Sequence, residues 1–260
     1  MKAGTEILLK ENLKALNLSH MSKNLGPLVR QAGENGTSHG EFLLALTEVE
    51  LQMRAESRLK RKLREAKFPL LKTLEQFDYG SAQGLDKRLM RELESGEYLL
   101  GHKNIIFIGK SGTGKTHLAT GLGVAACRQG TSTRFVNGCG LSMELIEAQS
   151  ERRLSRVIQR YARYGLVVID ELGYVPFSKE SAELMFQVFA ERHERGSVII
   201  TSNLGFADWT QIFGDATLTA ALLDRLTHKA HIINCTWESY RLQESLRTRK
   251  DSAKRSTSSE

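Results

Sequence analysis

The spacing of apolar positions changes at about residue 100 of this 260-residue chain. Before that point, leucines in residues 8–18 recur near helical spacing, and a second run of helical periodicity covers residues 41–67. Pro69 disfavours helical geometry at Phe68, so the second run is expected to end there. Residues 1–70 are therefore predicted to form a small helical domain.

From residue 104 onward, short β-branched runs alternate with longer helical stretches, which is typical of βαβ units. This pattern predicts an α/β domain with a five-stranded parallel sheet over residues 71–247, beginning with a glycine-interrupted linker. The remaining residues, 248–260, are basic and rich in serine, and they are predicted to be a disordered tail. The strand candidates are residues 105–108, 133–136, 166–169, 198–201 and 231–233.

A glycine-rich segment follows the first strand candidate and fits the pattern G-x-x-x-x-G-K-[ST] at every fixed position. Its glycines let several backbone N–H groups point into one concavity, and the helical pattern that follows adds the positive end of a helix dipole. Lys115 is expected to place its ammonium between the β- and γ-phosphates of ATP, and Thr116 to offer its hydroxyl to Mg²⁺. The predicted cradle consists of Gly109, Lys110, Ser111, Gly112, Thr113, Gly114, Lys115 and Thr116.

The third strand candidate ends in two adjacent carboxylates, Asp170 and Glu171, as a Walker B strand does. Asp170 is placed to hold the Mg²⁺ shell, and Glu171 to polarise the attacking water. Adjacent residues of a regular strand point to opposite faces, so both carboxylates face the nucleotide only if the chain turns at this end. Gly173 is well placed to permit that turn.

The fourth strand candidate ends in polar residues, at the carboxyl edge where open α/β sheets bind ligands. Asn203 is expected there to hold the lytic water or to contact the γ-phosphate, while a polar loop without a catalytic role is the alternative. The sequence has no N-K-x-D at this point and no L-S-G-G-Q segment, which argues against a GTPase and against a transporter-type ATPase. The glycine-rich segment of residues 109–116, a P-loop, is also compatible with a small-molecule kinase. Asp170, Glu171 and Asn203 fit hydrolysis better.

The net charge indicates a class of partner, and the cysteine content indicates a cellular compartment. A net charge of +7 and a pI near 9.3 are compatible with a polyanionic partner such as nucleic acid. The three cysteines are far apart and form no C-x-x-C pair, which argues against a disulfide framework and favours a reducing cytosol. No apolar run approaches a membrane span and no secretory signal is evident, so a cytoplasmic protein without a membrane partner is expected.

Five motifs in this order resemble those of the IstB/DnaC branch of AAA+ proteins, with IstB as the most similar group. The resemblance covers about residues 40–247 and implies an AAA+ P-loop αβα sandwich that uses ATP and Mg²⁺. The stretch after the last strand candidate is too short for a four-helix lid, which agrees with the lidless form of this branch. The motifs are the P-loop, Val-Val-Ile-Asp-Glu-Leu-Gly-Tyr (167–174), Ile-Thr-Ser-Asn (200–203), Leu-Leu-Asp-Arg-Leu (222–226) and Glu-Ser-Tyr-Arg-Leu (238–242).

The resemblance also implies roles for two arginines. Arg225 matches the arginine finger, which in this family reaches the γ-phosphate of a neighbouring subunit. Arg241 matches the sensor-2 arginine, a second γ-phosphate contact. The alternatives are a surface pair of Asp224 with Arg225 and an ordinary helix arginine at position 241. A trans finger implies a homo-oligomer whose active sites are shared between subunits.

Two groups of basic residues are candidates for DNA contact. On a helix, Arg54, Arg58 and Arg61 share one side, extended by Lys62, and such a row can follow a phosphate backbone or form a solvated face. A second cluster is a candidate for another DNA-facing surface, with subunit contact or solvent exposure as the alternatives. It consists of Arg152, Arg153, Arg156 and Arg160.

The function implied by the resemblance is that of an ATP-dependent DNA-binding helper of an insertion-sequence transposase. An oligomer would assemble on double-stranded DNA and recruit or activate an IstA-like transposase, and a DNA-stimulated ATPase activity would control the assembly. A DnaC-like loader of a replicative helicase is the alternative within the branch. A non-hydrolysing ATP-binding scaffold and a small-molecule kinase are the alternatives from other classes.

Overall fold

A computed structural model describes residues 3–240 of the chain. Contacts divide it into two compact units, with the division between residues 61 and 62. No helix in this part of the chain is long and apolar enough to cross a membrane. The domain boundaries expected at residues 70 and 247 stay predictions, and the tail 248–260 lies outside the described residues.

The first unit is helical, as its periodicity predicts, but it holds one helix more than the two predicted runs. It contains α1 (Ala3–Ala15), α2 (Ser19–Asn35) and most of α3 (His39–Ala66). The sequence did not reveal α2 because Pro27 lies inside it, and proline is normally a signal against a helix interior.

A small core and a buried carboxylate hold the helices of the first unit together. Met21 and Leu25 of α2 pack with Leu46 of α3 in a hydrophobic cluster. Glu50 is only 4% exposed, and its Oε2 accepts the backbone N–H groups of His20 and Met21, each at 2.8 Å. These donors belong to the first turn of α2 and have no partner within the helix, so Glu50 caps it.

The second unit contains the predicted sheet of five parallel strands, in the order β2-β3-β4-β1-β5. All five strand candidates are confirmed. Parallel pairing brings the carboxyl ends of the strands to one edge of the sheet, where the motifs were expected to meet. The strands are β1 (Asn104–Gly109), β2 (Thr133–Asn137), β3 (Leu166–Asp170), β4 (Ser197–Ser202) and β5 (Ala230–Cys235).

Helices cover both faces of the sheet and produce three layers. They are α4 (Lys87–Ser95), α5 (Glu97–Leu100), α6 (Lys115–Arg128), α7 (Gly138–Ser150), α8 (Leu154–Ala162), α9 (Lys179–Arg192), α10 (Trp209–Phe213) and α11 (Ala216–Thr227). Alternate strand residues face opposite cores, as the period of a strand requires. Ile106, Val167 and Ile200 pack with α7–α11, whereas Ile105 and Val168 pack with α4–α6.

Candidate active site

The glycine-rich segment connects the end of β1 to the first turn of α6. Gly112 and Gly114 adopt φ angles of +83° and +89°, a region that residues with side chains rarely occupy. Nζ of Lys115 donates to the carbonyl oxygens of Gly109 at 2.7 Å and Lys110 at 2.8 Å. The loop therefore curls around the ammonium group at the amino end of a 14-residue helix, which is the geometry of an anion cradle.

The side chains of Thr116 and Asp170 are brought together from different elements. Oγ1 of Thr116, in the first turn of α6, donates to Oδ1 of Asp170 at the end of β3, at 3.0 Å. Two oxygen ligands thus converge beside the P-loop, and oxygen ligands completed by phosphates and water are what Mg²⁺ prefers. Within residues 3–240 no group of three or more His, Cys, Asp or Glu side chains is arranged to hold a metal. The pair fits the metal expected from the sequence when a nucleotide supplies the remaining ligands.

Thr201 of β4 orients both Walker B carboxylates, and the sequence had not singled it out. Its hydroxyl donates to Oδ1 of Asp170 at 2.5 Å and accepts the N–H of Glu171 at 2.9 Å, while its carbonyl accepts the N–H of Leu172. Glu171 has a φ of +55°, a costly conformation for a residue with a side chain. The expected turn therefore begins at Glu171 itself and continues through Gly173 at φ +87°.

A cavity of about 540 Å³ runs along the P-loop, within the size range of small-ligand pockets. Glu171 and Asn203 line it together with residues 111–116, so the motifs predicted from the sequence meet here. The linker before β1 also contributes, which the sequence had not indicated, and so does the segment after β5, to which the resemblance had assigned a γ-phosphate contact. The remaining lining residues are Pro69, Leu70, Lys72, Gln76, Phe77, Asp78, Ser81, Ala82, His117, Thr120, Tyr174, Thr201, Ser202, Trp237 and Tyr240.

The linker is attached to the P-loop helix through His117. Burial lowers the pKa of His117 below its ordinary value, so the imidazole is neutral at neutral pH. Its Nε2 lies 2.9 Å from the carbonyl oxygen of Thr73, and a carbonyl only accepts, so the ring donates from Nε2. The ring of Phe77 packs edge-on against the imidazole, with centroids 5.3 Å apart. The linker thus forms one wall of the cavity.

Arg225 lies at the opposite edge of the sheet from the P-loop. Its Nη1 donates to the carbonyl of Ala221 at 2.9 Å, and its guanidinium lies 4.8 Å from the ring centre of Phe186, a cation–π contact. It borders a second pocket of about 270 Å³ that is lined by Asn104, the first residue of β1, and by Lys229, just before β5. One chain therefore does not bring Arg225 to its own P-loop. The other arginine implied by the resemblance, at position 241, lies outside the described residues.

The basic row on α3 does not have a uniform environment. Nε of Arg54 donates to Oε1 of Glu50 at 2.7 Å. Burial alone would raise the pKa of Glu50, but hydrogen bonds from backbone N–H groups and from Arg54 outweigh it and lower that pKa. Arg54 therefore neutralises an ionised carboxylate inside the first unit. Arg58 and Arg61 are exposed, Lys62 is half-buried, and none of these three forms an ion pair with a described residue.

Five arginines around α8 line an open groove of the second unit, here named the arginine surface. Two of them form ion pairs with glutamates of α7 or of the turn after it. The other three are exposed and have no ion-pair partner within residues 3–240, so the groove carries uncompensated positive charge. The five residues are Arg152, Arg153, Arg156, Arg160 and Arg163. The three without an ion pair are Arg152, Arg156 and Arg163.

Sequence relatives share almost the whole length of the chain. Residues 11–248 match a family model described as IstB-like ATP binding protein. A Pseudomonas aeruginosa protein named for ATP binding in insertion sequence IS21 is 38% identical, over 89% of this chain and 88% of the relative. A Bacillus thuringiensis subsp. berliner protein, named in the same way for IS232, is 36% identical over 91% and 94%.

Solved structures of low sequence identity share the fold. AMPPCP-bound DnaA from Aquifex aeolicus matches with a TM-score of 0.54 at 18% identity, over 65% of this chain and 50% of that chain. The crystal structure of DnaI matches with a TM-score of 0.53 at 17% identity, over 63% and 90%. These matches confirm the predicted AAA+ P-loop fold. On the match to the family model and to relatives at 36–38% identity, this chain belongs to the family of IstB-like ATP binding proteins.

Proposed function

We propose that this IstB-like protein is an ATP-hydrolysing, DNA-binding helper of an insertion-sequence transposase. The observation that carries the proposal is the arrangement of four motif residues around one cavity, with Asp170 hydrogen-bonded to one of them, Thr116. The four lining residues are Lys115, Thr116, Glu171 and Asn203. Relatives named for insertion sequences support the transposition context. Hydrolysis of ATP is favoured over transfer of its γ-phosphoryl group to a small acceptor, because Glu171 faces the cavity and its carboxylate can polarise water.

The P-loop residues bind and orient the triphosphate. Lys115 exchanges its two carbonyl partners for oxygens of the β- and γ-phosphates, and N–H groups of the loop donate to the remaining oxygens. Thr116 and Asp170 would hold Mg²⁺, which neutralises charge that develops on the phosphates. Thr201 keeps the Asp170 carboxylate directed toward this position.

Glu171 and Asn203 act on the water that attacks the γ-phosphate. The left-handed turn at Glu171 directs its carboxylate into the cavity, where it accepts a proton from that water. Asn203 donates to the water or to the γ-phosphate and fixes the line of attack. Arg241 is proposed as a further γ-phosphate contact.

A second copy of the chain completes the site. Arg225 lies at the sheet edge opposite the P-loop, so its guanidinium reaches a γ-phosphate only in a neighbouring subunit. Stabilisation of transition-state charge by such an arginine accelerates hydrolysis by about 10³-fold or more. ATP thereby links subunits into a homo-oligomer, and hydrolysis releases them.

The oligomer binds double-stranded DNA through its phosphate backbone. The arginine surface offers three unpaired guanidinium groups, and Arg58, Arg61 and Lys62 of α3 offer further charge. Among the described residues, arginine, serine and glutamine line the arginine surface and no aromatic ring does, so base stacking is not expected. Binding is therefore largely independent of sequence, and the assembled protein recruits or activates an IstA-like transposase.

Phosphate release with and without double-stranded DNA, at about 50 and 300 mM salt, tests this function. We expect DNA to stimulate hydrolysis at low salt and the stimulation to fade at high salt, because backbone contacts release counterions. Capture of the cognate transposase in the presence of ATP and DNA tests the partner.

Other outcomes identify other functions. ATP binding without hydrolysis under any of these conditions would indicate a scaffold. Hydrolysis indifferent to DNA, with capture of a replicative helicase in place of a transposase, would indicate a helicase loader. Turnover that depends on a small acceptor would indicate a kinase.

A further inference from the structure

The segment that follows β5 crosses the P-loop and holds two consecutive carbonyl groups of it. The indole Nε1 of Trp237 donates to the carbonyl oxygen of Thr113 at 2.8 Å. The backbone N–H of Tyr240 donates to the carbonyl oxygen of Gly112 at 3.0 Å. This short segment therefore binds two adjacent residues of the P-loop, although it follows them by more than 120 positions in the sequence.

Close packing accompanies these hydrogen bonds on both sides of the loop. A Cβ atom at Gly112 would lie 2.1 Å from Oγ of Ser239, and a Cβ at Gly114 would lie 2.7 Å from the ring of Phe77. Gly112 thus leaves room for the segment after β5, and Gly114 leaves room for the linker before β1. Trp237 is half-buried against the same hydrophobic cluster as Phe77.

The two hydrogen bonds set the direction of the loop's N–H groups. A trans peptide points its carbonyl and its N–H in opposite directions, and none of the described peptides is cis. Holding the carbonyls of Gly112 and Thr113 toward the segment after β5 therefore turns the N–H groups of Thr113 and Gly114 away from it. No described backbone group accepts these two N–H groups, so they are available as phosphate donors.

We propose that Trp237 is a positioning residue of the phosphate cradle. Its indole N–H fixes the peptide that presents the N–H of Gly114 to the nucleotide, and so couples the segment after β5 to phosphate binding. Its ring also lines the cavity, so a bound nucleotide changes the surroundings of the indole. This inference rests on the proposed nucleotide site.

Removal of the indole N–H alone tests the role. Trp237→Phe keeps an aromatic ring but removes the N–H donor. We expect this variant to raise the Kd for ATP about fivefold, which corresponds to the loss of one net hydrogen bond. Its kcat at saturating ATP should change less than twofold. Trp209→Phe is the matched control, because Trp209 is fully buried in the opposite core and its Nε1 donates to Leu204, outside the P-loop. The control should bind ATP with the wild-type Kd.

Fluorescence supplies a readout that a purely structural role would not change. The chain has two tryptophans, so Trp209→Phe leaves Trp237 as the only indole. Its emission should change on ATP addition with the Kd measured by calorimetry, and Lys115→Ala should abolish the change. If Trp209→Phe fails to fold, acrylamide quenching of the wild type reports on Trp237, since Trp209 has no exposed surface.

The outcomes separate this inference from the site on which it rests. A wild-type protein that binds no ATP by calorimetry would contradict both. Wild-type binding together with an unchanged Kd in Trp237→Phe, or with Trp237 emission indifferent to saturating ATP, would overturn the positioning role and leave the nucleotide site intact.

Discussion

Oγ1 of Thr201 lies 2.5 Å from Oδ1 of Asp170 and donates a hydrogen bond to it across neighbouring strands. The same oxygen accepts the backbone N–H of Glu171, so one hydroxyl of β4 determines both the direction of the metal-binding carboxylate and the turn that presents the second one. Both acidic residues of the candidate site therefore depend on a side chain from another strand.

Replacement of Thr201 should separate this positioning from nucleotide binding. We expect Thr201→Val to lower kcat about 10- to 100-fold, because a hydrogen bond to a charged group contributes about 1.5–3 kcal/mol, while the Kd for ATP stays within a few-fold of wild type. Thr201→Ser retains the hydroxyl and should preserve most of the activity. Equal rates for the valine and serine variants would exclude the positioning role. Steady-state phosphate release measures both.

Glu171→Gln should bind ATP and DNA but hydrolyse poorly. An amide does not accept the proton of the attacking water, so kcat should fall at least about 100-fold, the usual contribution of a general base. The exposed Glu180 provides a matched control, and Glu180→Gln should turn over at the wild-type rate. Full turnover by Glu171→Gln would remove Glu171 as the group that activates water.

Lys115→Ala should lose nucleotide binding. The ammonium donates charge-assisted hydrogen bonds to the triphosphate, so the Kd for ATP should rise at least about tenfold. Lys103→Ala removes an exposed lysine just before β1 and should leave the Kd unchanged. Calorimetry measures both values, and wild-type affinity in Lys115→Ala would refute the cradle assignment.

Arg225→Ala should bind ATP but fail to hydrolyse it, with kcat lowered by about 10³-fold. Because Arg225 and the P-loop lie at opposite edges of the sheet, mixing this variant with Lys115→Ala subunits should restore part of the activity. An interface in which the Arg225→Ala subunit supplies the cradle and the Lys115→Ala subunit supplies the arginine is then intact, whereas the reverse arrangement lacks both groups. Absence of rescue at any mixing ratio would argue against an arginine supplied in trans.

Substitution of the unpaired members of the arginine surface should weaken DNA binding in a salt-dependent way. Each lost phosphate contact reduces the slope of log K against log salt by about 0.9, so the triple substitution should lower it by up to about 3. The triple variant is Arg152→Ala, Arg156→Ala and Arg163→Ala. The control removes the same charge from the exposed residues of α4, as Lys87→Ala, Arg88→Ala and Arg91→Ala. Equal losses in both variants would show that only net charge matters. Fluorescence anisotropy with labelled DNA gives the slopes.

Local patterns in the sequence were sufficient for the strands and for the residues at their carboxyl ends. Residues 105–108 and 166–169 are apolar runs rich in β-branched residues. A buried parallel strand is continuously apolar, so each strand is recognisable on its own. The motif of residues 109–116 is equally local, because the curl of the backbone is produced by its own glycines. These features predicted where Lys115, Asp170 and Glu171 would meet.

Other contacts join residues far apart in the chain, and only the tertiary structure reveals them. Thr201 reaches Asp170 because β3 and β4 are neighbours in a particular register, and Trp237 reaches Thr113 because β5 ends beside β1. The same holds for Arg54, which the sequence placed in a basic row available for DNA. In the structure its guanidinium pairs with the buried carboxylate of Glu50, which also caps α2. The sequence by itself determined the strands, the cradle and the candidate chemistry, since these depend on neighbouring residues. The tertiary structure decided which distant side chains orient that chemistry, since strand order and helix packing depend on the whole chain.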